Sequence, residues 1–197
     1  MTDARAALAE AVRRWAPLDA DRLGTLVGRF AVRDVEARTP VSLPGDDAHE
    51  VLFVAEGLLR FYYPGADGRE ANKAFVVAGE FAAALASARL GVPLLYGVEA
   101  LEPTTLLAAP IADLDALVDR DPAYERFGRK LAEYLLTRKE RRTRSLLLQS
   151  ATERYLALVD ARPDLVQRVP LYHLASYLGV TDVHLSRVRR EIAVASE

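Results

Sequence analysis

The chain has 197 residues, 51% hydrophobic and 27% charged, with a formal net charge of −2, the profile of a globular protein of one large domain or two small ones. It holds no cysteine, which excludes disulfides, iron–sulfur clusters and thiol redox sensing. It opens without a basic region followed by an apolar run, and no apolar stretch approaches the ~20 residues of a membrane span; a cytoplasmic protein without a signal peptide is the expectation.

Residues 2–15 predict a short amphipathic helix with Thr2 or Asp3 as its N-cap, and Asp19 to Gly28 predict a second after Pro17. From Phe30 the pattern changes to short apolar runs cut by turn residues. Strands are expected at Phe30–Glu36, Val51–Ala55, Leu58–Tyr63, Glu70–Val77, Tyr96–Ala100 and Thr105–Ala108. Pro44-Gly45-Asp46-Asp47, Gly57 and Pro64-Gly65-Ala66-Asp67-Gly68 supply the turns between them. Strands of this length and spacing suggest a barrel or a jelly roll.

After Pro110 the period returns to 3.6. Ile111–Asp119 reads as a short helix, and Asp121-Pro122 opens a long one reaching Gln149. Phe127, Leu131 and Leu135 lie on one stripe, with Tyr124 and Tyr134 at its edges, and the turns from Thr137 to Ser145 are almost wholly polar. Such a stripe suits a dimer contact; its first half equally suits packing on the chain's own barrel. Ser150-Ala-Thr-Glu153 has the form of a capping box and starts a helix over Thr152–Ala161, which Arg162-Pro163-Asp164 breaks. A helix pair follows, giving a three-helix unit over 151–192.

In that pair Leu171, Leu174 and Leu178 repeat at helical spacing, Gly179 offers the left-handed residue that ends a helix, and Thr181 can start the next. Leu185, Val188 and Ile192 share one face, and Val183, Ser186, Arg187 and Arg190 take the opposite one. Two short helices around a tight turn, the second presenting small polar groups and arginine, are what major-groove reading requires. A helical hairpin with solvated arginines has the same pattern. Residues 126–197 hold 14 Lys+Arg against 8 Asp+Glu, and residues 1–125 hold 12 against 20. A basic rear half suits attraction to phosphate, or a solvated helix face. No nucleophile–base pair, metal-spaced cluster or glycine-rich phosphate loop is visible, so neither an enzyme nor a cofactor is expected. His49 sits on a polar turn beside Asp46 and Asp47, while His173 and His184 belong to the terminal helices; no metal site is expected.

The order of these parts, with Ala78-Gly79-Glu80-Phe81 after a strand, Ser150-Ala-Thr-Glu-Arg-Tyr155 after the long helix, and Tyr177-Leu-Gly-Val-Thr181 with Leu185-Ser-Arg187, resembles the Crp/Fnr family of bacterial transcription regulators from Phe30 to Ile192. The resemblance implies an α+β fold in three parts. An N-terminal jelly-roll of the cyclic-nucleotide-binding type, with its helices, would occupy residues 1–120. A dimerisation helix over 121–149 would carry Tyr124, Phe127, Leu131, Tyr134, Leu135 and Arg138, and a helix-turn-helix DNA-binding domain would follow over 150–197. It further implies a cytoplasmic homodimer on an inverted-repeat operator in double-stranded DNA, with RNA polymerase as a further partner, a small-molecule effector and no membrane.

The chain also departs from that family. In cyclic-nucleotide-binding members a phosphate cassette begins Gly-Glu and closes with Arg-Ser or Arg-Thr. Gly79 and Glu80, before Phe81, match the opening, but the closing pair falls on Leu94 and Leu95, which cannot pair with phosphate. Arg89 lies nearby at the wrong spacing, and Glu80 can instead cap the short helix after Phe81. Cyclic AMP is therefore not the expected effector, and the pocket takes another small molecule or none. On the DNA side the family's reading positions fall on Asp182, Val183 and Arg187. Only Arg187 keeps the family residue, for a guanine edge, and Val183 suits a thymine methyl. Ser186, Arg190 and His184 are further reading candidates, and Thr181 and Arg189 are phosphate contacts. The end at Glu197 is expected to leave no room for a β-hairpin wing, which either lowers affinity or shifts phosphate contacts to Arg154, Arg162 and Arg168. A different reading keeps a ligand-binding or protein-interaction module whose helix-turn-helix no longer reads DNA.

Overall fold

The computed structural model describes residues 3–47 and 49–195 and divides into two units. One comprises Met1–Phe61 and Phe75–Thr137, the other Tyr62–Ala74 and Arg138–Glu197. This division differs from the expected breaks at 120 and 149. The hairpin tip 62–74 groups with the C-terminal helices, and the long helix changes unit after Thr137.

Two aspartates start the first unit. Asp3 accepts from the Arg5 N–H at 3.0 Å and caps α1 (Ala4–Trp15), while Asp19 accepts from the Arg22 N–H at 2.9 Å and caps α2 (Ala20–Gly28). Thr2, the other cap considered, lies outside the described residues. Eight strands follow: β1 (Ala31–Val35), β2 (Pro40–Ser42), β3 (Glu50–Glu56), β4 (Leu58–Pro64), β5 (Glu70–Val77), β6 (Phe81–Ala83), β7 (Gly97–Ala100) and β8 (Thr104–Pro110). They form two four-stranded sheets, β1-β8-β3-β6 and β2-β7-β4-β5, which make a jelly-roll. The sequence pattern missed β2 and β6, because three residues are too few for an alternation to register. Gly57 closes the β3–β4 turn at φ 98°, where an added Cβ would stand 2.7 Å from the Pro103 carbonyl oxygen. No side chain fits there.

Glu80 does not cap the helix after Phe81. Its Oε2 accepts from the Val77 N–H at 3.1 Å and closes the β5–β6 turn, while α3 (Leu85–Leu90) starts at Ala84 without a side-chain cap. Helix α4 (Ile111–Arg120) is followed by a 3-10 turn over Pro122–Tyr124, capped by Asp121, and only then by α5 (Glu125–Leu148).

The core of this unit centres on an aromatic cluster. The one tryptophan, Trp15 of α1, packs 4.9 Å from Phe81, 6.1 Å from Phe127 and 5.2 Å from Tyr134, measured between ring centroids, and Phe53 lies 4.8 Å from Phe81. Rings at these separations add about 0.5–1.5 kcal/mol per pair beyond the area they bury. Tyr124, Phe127 and Leu131 are buried in this core, and Tyr134 and Leu135 pack against it. The first half of the α5 stripe is thus spent on the chain's own domain, which corrects the expectation that Tyr124, Phe127 and Leu131 face a second copy. Leu136, 60% exposed, is the large apolar residue that this part of α5 leaves outside.

Among the described residues after 150 there are four helices rather than the expected three: α6 (Ala151–Ala161), α7 (Pro163–Arg168), α8 (Leu171–Leu178) and α9 (Asp182–Ala195). Ser150 and Glu153 form the expected capping box of α6. Pro163 does not merely break α6; it occupies the first turn of α7, where a missing N–H costs nothing. Tyr155, Leu165, Leu174, Leu178, Leu185 and Val188 form the buried centre of the second unit.

Phe127→Ala is expected to lower folding stability by about 3–5 kcal/mol, read by urea denaturation through Trp15 fluorescence. An unchanged midpoint with a changed oligomeric state would instead place Phe127 at a subunit contact.

Candidate nucleic-acid interface and effector cavity

Helix α8 ends as the sequence requires. Gly179 stands at φ 69°, its N–H donates to the Ser176 carbonyl at 3.1 Å and the Val180 N–H to the Ala175 carbonyl at 3.0 Å, the paired bonds of a Schellman end. Thr181 Oγ1 then accepts from the His184 N–H at 3.2 Å and the Thr181 carbonyl from the Leu185 N–H at 2.9 Å, opening α9. Leu185 and Val188 face inward, 1% and 3% exposed, and Ile192 is half-buried.

Val183, Arg187 and Arg190 recur at i, i+4 and i+7, so they line one stripe opposite the buried residues, and all three are exposed. Val183 is 76% exposed, unusual for an aliphatic side chain and suited to contact with a base methyl. Arg187 approaches Glu191 only at 3.9 Å, and both side chains are 65% exposed, a contact of little weight. Ser186 and His184 flank the stripe half-buried, and Thr181, Asp182 and Arg189 are exposed. The Asp182 carboxylate accepts from the Val183 N–H at 2.9 Å, turned toward the start of its own helix.

Two other arginines of this unit, Arg142 and Arg154, serve its interior. Arg154 Nε donates to the Leu178 carbonyl at 2.8 Å, and Arg142 donates to the Tyr177 carbonyl with its guanidinium 4.0 Å from the Tyr177 ring. Both satisfy carbonyls that the end of α8 leaves without helical partners. Arg162 and Arg168 each approach Asp164 at 3.5 Å. Arg154 is thus engaged at the end of α8, while the approaches of Arg162 and Arg168 to Asp164 are part-exposed.

A latch not foreseen from the sequence joins the 62–74 hairpin to α8. The Ser176 hydroxyl accepts from the Asn72 N–H at 2.9 Å and donates to the Glu70 carbonyl at 3.0 Å. The Asn72 amide donates to the His173 carbonyl at 3.1 Å and lies 3.1 Å from His173 Nδ1. Asn72 and His173 are both buried, 4% and 7% exposed, and buried polar groups of this kind require these partners.

Within the jelly-roll lies a cavity of about 550 Å³. Arg33, His49, Leu52, Phe61, Leu94 and Tyr96 mark its walls, with Asp46, Asp47 and Glu50 at the β2–β3 loop and the start of β3. Phe61 and Tyr96 stand 5.8 Å apart. Arg33 Nη1 donates to Glu50 Oε2 at 2.9 Å, and Asp46 accepts from the Leu43 N–H at 2.7 Å.

Of the six residues expected to form this pocket, only Leu94 lines it. Gly79 and Glu80 form the β5–β6 turn, and Phe81 is wholly buried in the aromatic core. Arg89 Nη2 donates to Asp115 Oδ1 at 2.7 Å beside a second, apolar cavity of about 470 Å³, and Leu95 is 68% exposed. Among the described residues no group of three or more His, Asp or Glu could hold a metal ion, and no helix is long and apolar enough to cross a membrane.

Residues 32–121 match the profile of the cyclic nucleotide-binding domain family. The chain is similar in structure to FixK2 from Bradyrhizobium japonicum, at 18% identity, with a TM-score of 0.71 and 85% of this chain matched to 86% of that one. The chain has the Crp/Fnr-type fold. CLP of Xanthomonas campestris, a c-di-GMP responsive global regulator, matches at 20% identity and a TM-score of 0.69, over 90% of this chain and 93% of that one. A transcriptional regulator of Eubacterium rectale assigned to the crp/fnr family matches at 16% identity and a TM-score of 0.69, over 91% and 85%. No curated protein sequence matches the chain. In this Crp/Fnr-type fold the family match spans the 550 Å³ cavity, whereas α8 and α9 lie beyond it.

Ser176→Ala removes the acceptor of the part-buried Asn72 N–H and the donor to the exposed Glu70 carbonyl. Amide hydrogen exchange over residues 62–74 is expected to accelerate by about fivefold or more, the consequence of a loss of about 1–3 kcal/mol. Unchanged exchange would show that the latch does not hold the hairpin.

Proposed function

We propose that the chain is a homodimeric, sequence-specific DNA-binding transcription regulator of the Crp/Fnr type that does not respond to cyclic AMP. The exposed stripe Val183–Arg187–Arg190 carries this reading. It sets a thymine-compatible aliphatic and two arginines on the outward face of the second helix of a helix-turn-helix, where base edges are read. Arg187 contacts a guanine, Val183 a thymine methyl, and Thr181 and Arg189 the backbone phosphates. Two copies of α9 set one DNA turn apart then read an inverted repeat. Leu136 and the outer face of α5 are the surface left for the partner copy, since the inner stripe is occupied.

The cavity is the effector site. Leu94 stands where a phosphate-binding member would carry arginine, and the one arginine in the walls, Arg33, is already bonded to Glu50. Three carboxylates line the same space, so a phosphate is repelled and a neutral or cationic molecule with an apolar face is favoured. Occupancy acts by favouring the dimer geometry that fits the operator.

Selection of bound DNA from a random pool is expected to return an inverted repeat. Arg187→Ala should relax preference at one base pair per half-site by about 1–3 kcal/mol. An unchanged preference in the variant would remove Arg187 from base reading. Calorimetric titration with cyclic AMP is expected to show no binding, and micromolar affinity would contradict the assignment of the cavity.

A further inference from the structure

Gly128 stands inside α5 with no conformational or steric need for glycine. Its backbone is not left-handed, and an added Cβ would meet nothing closer than Val118 Cγ2 at 3.9 Å, an ordinary contact. A helical glycine is destabilising relative to alanine, so the position gives up helix stability and leaves space. That space belongs to the apolar cavity of about 470 Å³ in the first unit. Leu26, Val51, Leu117, Phe127 and Leu131, all buried, form its floor. α3 and α4 contribute Leu85, Leu114 and Val118 to its sides, and α5 contributes Gly128 and Ala132. The charges around it are matched. Arg89 Nη2 donates to Asp115 Oδ1 at 2.7 Å, Arg129 pairs with Glu133, and Glu125 is exposed at the rim. Among the described residues that border the cavity, two arginines thus meet two acids, Asp115 and Glu125, with no net charge left over. The one hydroxyl among them, that of Tyr124, donates to the Arg22 carbonyl at 3.2 Å.

We propose that this cavity is a second small-molecule site, separate from the jelly-roll cavity, and that its ligand is an uncharged, hydrocarbon-rich molecule. An ion entering it loses water and finds a partner only by breaking the Arg89–Asp115 pair. An apolar molecule instead displaces water that these walls do not hold. Apolar cavities that take benzene measure about 150 Å³, so this one takes a molecule of roughly two to three ring volumes. Such a ligand touches α3, α4 and α5 at once. It binds the folded unit and not the unfolded chain, so occupancy raises the stability of the unit.

The test is titration of the full chain with N-phenylnaphthylamine, an uncharged aromatic probe that fluoresces in apolar surroundings, with decanol and decanoate as competitors. Saturable binding is expected, reversed by decanol at a concentration about tenfold or more below that of decanoate, whose carboxylate finds no partner. Gly128→Leu fills the cavity with a residue that favours helix. Its unfolding midpoint should match or exceed that of the wild type, while probe affinity falls by about tenfold or more. In the wild type, decanol should shift the methyl resonances of Leu114 and Val118 and leave in place those of Leu52 and Leu94, which line the jelly-roll cavity. This measurement locates the ligand without the variant, and the reverse pattern overturns the proposal. So does the absence of saturable binding, an unchanged affinity in folded Gly128→Leu, or displacement by decanoate as readily as by decanol. Probe binding that weakens as the protein is concentrated would show a second copy seated on the cavity, and overturns it as well.

Discussion

The packing of Trp15 against Phe81, Phe127 and Tyr134 fixes the rest of the N-terminal unit. These rings come from α1, from the shortest strand of one sheet and from α5, three segments that share no backbone pairing. Arg126 Nε donates to the Trp15 carbonyl at 3.1 Å, and the Tyr124 hydroxyl donates to the Arg22 carbonyl at 3.2 Å. The start of α5 is thereby tied to both N-terminal helices. Its rotational setting follows: with Phe127 and Leu131 inside, Leu136 must face out. Any partner of α5 meets that outer face and not the stripe that looks most hydrophobic in sequence.

Arginine does two separable jobs in the C-terminal unit. Arg142 and Arg154 bond the last carbonyls of α8 and hold the end of the helix that precedes the turn. Burial pulls the Arg142 guanidinium below its usual range, yet that group keeps its proton at any physiological pH. Arg187, Arg189 and Arg190 project from α9 instead. A count of basic residues cannot separate the two groups, and the net charge of the region overstates what is available to DNA. The latch of Asn72, His173 and Ser176 adds that α8 is held from the hairpin as well as from its own neighbours.

Features written in a few adjacent residues were legible in the sequence. Gly179 and Thr181 carry their geometry locally, as do Ser150 with Glu153, and Asp3 and Asp19. The six longer strands were legible too, because each holds enough residues to alternate. The cavity was not. Its walls come from β1, β2, the β2–β3 loop, β3, β4, β6 and the approach to and start of β7, brought together by pairing across the sheets, and β2 and β6 have three residues each. Gly79-Glu80 looked like the opening of a ligand cassette because the dipeptide was right, yet Glu80 Oε2 accepts from the Val77 N–H in the β5–β6 turn. The α5 stripe left two readings open, and only the position of Trp15 decides between them.

The proposed function rests on α9 reading DNA sequence. The most direct test is fluorescence anisotropy of the full chain with labelled genomic fragments across a salt series. Sequence reading by α9 predicts saturable binding to inverted-repeat fragments with half-sites about one helical turn apart, tighter than to scrambled fragments at every salt concentration, with an affinity that falls as salt rises. Equal affinity for all fragments at low salt, or no binding, would contradict it.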